Sequence, residues 1–142
     1  MVRSEDVAKT LIISGVIFVI AFGSYAVVKN RMSSLGLPDY VENNPFVKQA
    51  YEFAKEHPEV VSNMPCYCGC ANLGHRNNLD CFWDEDGSFV QHGSMCGGCA
   101  GVAVDAKSLY EQGKSLKEIR EFIDEKYGAD EFANPTPTPM VV

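Results

Sequence analysis

The residues able to do chemistry in this chain are its six cysteines, and all of them fall between residues 66 and 99. Cys66, Cys68 and Cys70 occupy alternate positions in Pro65-Cys66-Tyr67-Cys68-Gly69-Cys70; Cys81 stands alone, and Cys96-Gly97-Gly98-Cys99 completes the set. Cysteine used as an ordinary small apolar residue would be scattered, so the clustering implies that the sulfurs act together. Thiolates bind soft or borderline cations, and loops carrying several of them can close a tetrahedral site for Cu(I) or Zn(II). Gly69 gives the triple-cysteine loop the freedom to curl and donate two or three ligands. Cys99 opens a helix, where free backbone amides favour thiolate over thiol at the Cys-x-x-Cys pair. Cys66, Cys68, Cys70, Cys81, Cys96 and Cys99 are therefore the expected ligands, with His75 and His92 as additional candidates from the same region. Six sulfurs exceed one tetrahedral site, leaving room for a disulfide or for sulfurs bridging two or more ions. An iron–sulfur centre is less favoured, because an outer surface would expose it.

Two other chemistries compete. An even number of cysteines outside the cytoplasm fits a disulfide-stapled structural or interaction domain. Against this, a bridge within Cys66-x-Cys68 or Cys68-x-Cys70 would close a strained ring. The Cys96/Cys99 pair at a helix start is also the arrangement of thiol–disulfide redox proteins. The βαβ context of a thioredoxin-like fold is absent, and the other four sulfurs would have no part in such a reaction. No Ser/His/Asp set, phosphate loop or paired catalytic carboxylates is present, so the sequence points to binding and not to an enzyme.

The elements that must position these sulfurs are few. Leu11 to Val28 is an uncharged run of the length that crosses a bilayer, flanked by Arg3 and Lys9 before it and Lys29 and Arg31 after it. The reading is a membrane anchor over residues 1–30, the alternative being an uncleaved or cleavable signal, with the following domain extracytoplasmic. Residues 31–44 read as a linker. Asn44-Pro45 caps and opens a helix to Glu56, which must end there because Pro58 disfavours helical geometry at His57. Asp84-Glu85-Asp86-Gly87 between two aromatic runs predicts a short β-hairpin bringing Cys81 towards His92 and Cys96. A second helix runs from Cys99 to Gln112 with Val102, Ala106, Leu109 and Tyr110 on its apolar face, and Gly113 ends it. Ser115 to Glu118 is a capping box for a third, with Leu116, Ile119, Phe122, Ile123 and Tyr127 inward. The fold class is thus mostly α: an N-terminal transmembrane helix plus a small domain of about three helices over 45–130, with a Cys-rich loop region and a short hairpin. Residues 131–142 form a Pro/Thr-rich tail, extended or disordered.

Composition agrees with a small, loop-rich domain. With 12 glycines and 7 prolines, its limited apolar core leaves a metal or disulfides to supply part of the stability. A formal charge of −7 speaks against nucleic-acid binding, which requires a basic stripe.

Taken together, Pro65-Cys66-Tyr67-Cys68-Gly69-Cys70, Gly74-His75, Asn78-Leu79-Asp80-Cys81-Phe82, His92-Gly93, Cys96-x-x-Cys99 and the Gly113-Lys114-Ser115 joint resemble the PCYCGC-motif proteins. Ile119-Arg120 and the string Ile123 to Gly128 extend the likeness. The resemblance implies a secreted or membrane-attached prokaryotic protein, and often a lipoprotein. This chain departs from that pattern, because no cysteine precedes Cys66 to carry a lipid. The family implies no reaction. The reading is therefore a membrane-anchored binding protein for a soft transition metal, serving storage, protection or delivery. Its expected partners are the membrane and an extracytoplasmic metalloenzyme or metal transporter.

Overall fold

Asn44 and Pro45 do at the start of the first long helix what their chemistry dictates. In the computed structural model, which describes residues 35–141, the Asn44 Oδ1 accepts the Val47 N–H at 3.3 Å. Pro45 occupies the first helical position, where its missing N–H costs nothing. Replacing Asn44 with alanine is expected to lower stability by about 1 kcal/mol, read as a shift of the urea midpoint.

Six α-helices are formed among the described residues: α1 (Asp39–Glu42), α2 (Pro45–Glu56), α3 (Pro58–Val61), α4 (His92–Met95), α5 (Gly97–Glu111) and α6 (Leu116–Gly128). Two 3-10 turns, Cys70–Leu73 and Leu79–Cys81, carry cysteines. The three long helices are the expected ones; α1, α3 and α4 are single turns without enough residues to show a period. The membrane span read over Leu11 to Val28 lies outside the described residues. Among those described, no helix is long and apolar enough to cross a membrane.

Helix α5 is the centre of the packing, with α2 on one side and α6 on the other. Its inward residues Ala100, Val102, Ala103 and Ala106 are small, so its neighbours approach closely. A Cβ at Gly101 would lie 2.8 Å from the Tyr127 hydroxyl of α6. Tyr51 of α2 is fully buried and contacts Phe82, Trp83 and Phe89. The expected inner faces are only partly correct. Tyr110 is 39 % exposed and covers His57 and Phe53, and Phe122 is 41 % exposed. Arg120 takes a buried position instead. The segment read as linker also contributes: Leu37 and Val41 are buried, and the compact unit begins at Leu37.

One expectation needs correction. The described residues contain no strand, only two isolated bridges, a parallel one between Cys68 and Asn134 and, in place of the expected hairpin, an antiparallel one between Trp83 and Phe89, so the hairpin is reduced to a turn. Two backbone hydrogen bonds, Asp84 N–H to Ser88 O and Val90 N–H to Phe82 O, hold it. The chain enters through the Leu79–Cys81 turn, where the Phe82 and Trp83 N–H groups bond back to Leu79 O and are not free to extend a ladder, while Trp83 Nε1 donates to the Tyr51 carbonyl. The tail takes the extended form. Thr136 and Thr138 are buried while Pro135, Pro137 and Pro139 face solvent. A proline at every second position keeps the missing N–H groups on the unpaired side, so the intervening residues can still pair with the cysteine loop.

Candidate metal centre

The site is assembled by backbone that closes on itself three times. Pro65 delivers Cys66 into the core, and the tail docks alongside: Thr136 N–H donates to Cys66 O, Cys66 N–H to Thr136 Oγ1, and Asn134 N–H to Tyr67 O. Gly69, at φ +77°, then turns the chain into the Cys70–Leu73 turn. That left-handed step is accessible to glycine without a side-chain clash, and it brings Cys70 Sγ back to 2.9 Å from Cys66 Sγ. Asn78, with no exposed surface, ties the second closure: its N–H donates to Met64 O and its Nδ2 to Cys99 O. The third closure is the packing of α4 on the Cys81–Phe82 segment. A Cβ at Gly93 would fall 2.5 Å from the Phe82 ring and 2.8 Å from the Cys81 carbonyl.

These closures gather Cys66, Cys70, Cys81 and Cys99, all buried, with their sulfurs within 4.8 Å of one another. Cys66 Sγ lies 3.2 Å from Cys99 Sγ, and Cys70 Sγ lies 3.8 Å from it. Four sulfurs about 2.3 Å from a common ion form a tetrahedron of edge about 3.8 Å, so modest adjustment of this group would enclose one. None of the six cysteines is in a disulfide. The group can hold a metal ion.

Cys68 and Cys96 stand apart from the buried four. Their sulfurs are 3.3 Å from each other and, with Cys99, form a second group of three. Cys96 is therefore adjacent to Cys68 as well as to Cys99, so the Cys-x-x-Cys pair is not an isolated dithiol. The histidines each touch one sulfur: His92 Nε2 is 3.2 Å from Cys70 Sγ, and His75 Nδ1 is 3.3 Å from Cys81 Sγ. Their rings meet edge to face at 5.3 Å. Neither joins the four sulfurs in a single mutually close set. Such contacts suit an imidazole N–H donating to a thiolate and thereby stabilising its charge.

Crowding governs ionisation here. Thiol donors from Cys81 and Cys99 pull the Cys66 thiol down to about 2. Burial and then its neighbours push Cys68 and Cys70 up to about 12, and Cys81 and Cys99 rise as well because they face the Cys66 charge. Cys96 moves down: burial opposes ionisation, but the Cys99 N–H at the start of α5 and the Cys68 thiol outweigh it. In the protein alone, one thiolate among the buried four suppresses the others, since like charges this close cannot coexist cheaply. A cation held by these four sulfurs would reverse that balance, favouring thiolate at each of them.

The family model described as "Protein of unknown function with PCYCGC motif" matches residues 24–141. The chain belongs to this family. No curated protein and no solved structure matches it. In this PCYCGC protein, the motif cysteines divide between two places: Cys66 and Cys70 join the buried group, and Cys68 turns outward to Cys96.

Sequence reasoning did not identify three residues that hold the site. Asn78 braces Met64 against Cys99, and Thr136 pairs with Cys66 on both of its backbone groups. Arg120 donates to the carbonyls of Asn63, Thr138 and Pro139, joining α6 to the tail and to the approach of the cysteine loop. The tail had a legible signal in its Pro-Thr-Pro-Thr-Pro alternation; Asn78 and Arg120 entered only as part of the family likeness, and their roles were not legible because each depends on partners distant in sequence.

Proposed function

We propose that this PCYCGC protein binds a soft transition metal, Cu(I) or Zn(II), through Cys66, Cys70, Cys81 and Cys99. The observation carrying this reading is the convergence of four buried, unbridged sulfurs from three chain segments within 4.8 Å. An all-sulfur donor set favours these ions over hard cations. A four-iron cluster would spread its cysteine sulfurs around a larger inorganic core, so single-ion ligation fits the spacing better. With an N-terminal anchor, the domain would sit outside the cytoplasmic membrane and store, protect or deliver the ion to an extracytoplasmic metalloenzyme or transporter.

The test is elemental analysis of the full chain purified anaerobically, paired with a count of free thiols in denaturant. Bound metal with six titratable thiols is the expected result. Metal-free protein lacking free thiols would replace this reading with a disulfide-stapled domain.

A further inference from the structure

The second sulfur group differs from the first in exposure, which governs ion exchange. Cys66, Cys70 and Cys81 are buried, whereas Cys68 is exposed and Cys96 half-exposed. Cys99 belongs to both groups. A thiolate sulfur has more than one lone pair and can join two soft cations. The outer group offers three sulfurs, a number that suits a soft monovalent ion in a three-coordinate site.

The local backbone is shaped for this outer group. Cys96 occupies the position just before α5, and the chain then passes through Gly97 and Gly98 before Cys99. A Cβ at Gly98 would lie 2.5 Å from Cys68 Sγ, inside any tolerable contact, and 3.9 Å from Cys96 Sγ. A Cβ at Gly97 would meet nothing within 4 Å. Of the two glycines, only Gly98 is needed, and what it admits is the Cys68 sulfur. The Cys68–Cys96 approach is thus a built feature of the loop and not a chance meeting of surface thiols.

We infer that Cys68, Cys96 and Cys99 form a second, solvent-facing site for Cu(I), joined through the Cys99 sulfur to the buried four-sulfur site. This rests on the metal-binding reading above and adds a division of labour. The inner ion, enclosed by buried ligands, is retained; the outer ion, with one face open, passes to and from an external acceptor. Delivery then needs no opening of the core.

The test uses the reduced full chain, loaded anaerobically with Cu(I) from a colorimetric chelator and counted by native mass spectrometry. The expected wild-type count is two ions per chain, one returning rapidly to added chelator and one returning at least tenfold more slowly. The Cys68→Ser/Cys96→Ser double variant should hold one ion, the slow one, with an unchanged circular dichroism spectrum. Gly98→Ala should also lose the fast ion, while Gly97→Ala should keep both. A wild-type count other than two, or a double variant that still holds two, overturns the inference. A wild type holding one slow ion leaves the buried site intact, whereas a count of none removes the buried-site reading as well.

Discussion

Cys99→Ser is expected to reduce bound metal from the wild-type value to none. Cys99 Sγ belongs to both sulfur groups, 3.2 Å from Cys66 and 3.8 Å from Cys70, and the residue has no exposed surface. A serine oxygen is harder, shorter and neutral at ordinary pH, so it cannot replace a soft thiolate. The loss carries a stability consequence, because an ion bound only by the folded chain stabilises it in proportion to the logarithm of its excess. At a free metal level a thousandfold above Kd, that contribution is about 4 kcal/mol. Metal analysis and the urea midpoint, with and without added Zn(II), provide the two readouts. Metal-dependent stabilisation should vanish in Cys99→Ser and persist in Cys68→Ser, whose sulfur is outside the buried group. Full metal occupancy in Cys99→Ser would show that the convergence of sulfurs on α5 is not the binding site.

Arg120→Met is the other substitution with a large expected effect, on stability and only indirectly on metal. The guanidinium is buried and donates to Asn63 O at 2.9 Å, Pro139 O at 2.7 Å and Thr138 O at 3.3 Å, while its Nε donates to Asp124 at 2.8 Å. Methionine fills similar space but leaves carbonyls and a carboxylate without their donor. Removing one partner from a buried charged network costs roughly 3 kcal/mol. Arg120→Lys should recover little, since one ammonium cannot span the positions that a planar guanidinium reaches. The urea midpoint measures the loss. Limited proteolysis should locate it, with cleavage appearing after residue 133 as the tail detaches from Cys66 and Tyr67. If the tail stays protected and the midpoint is unchanged, Arg120 is not what fastens it.

Much of the local architecture could be read directly from the residues. Asn44-Pro45 and Ser115-Glu118 mark helix starts because capping is a short-range hydrogen-bonding problem, and both caps form as expected. Gly113 ends α5 at φ +77° for the same local reason. The turn at Asp84 to Gly87 is also local, but the seating of Trp83 beside it is not: its Nε1 donates to the Tyr51 carbonyl of α2, 32 positions away.

The site divides along the same line. Sequence alone singled out the atoms able to do chemistry: six clustered cysteines, an alternating triplet, a Cys-x-x-Cys entering a helix, and two histidines nearby. It also placed the helices that carry them, since caps, breakers and apolar periods act over a few residues. Only the tertiary structure decided which sulfurs face one another. Spacing makes Cys66, Cys68 and Cys70 look equivalent, but the left-handed turn at Gly69 and the approach of α5 send two inward and leave one beside Cys96. The buried Asn78, the strapped tail and Arg120 likewise owe their roles to partners brought close by folding, because hydrogen bonds and ion ligation depend on distance in space and not on separation along the chain.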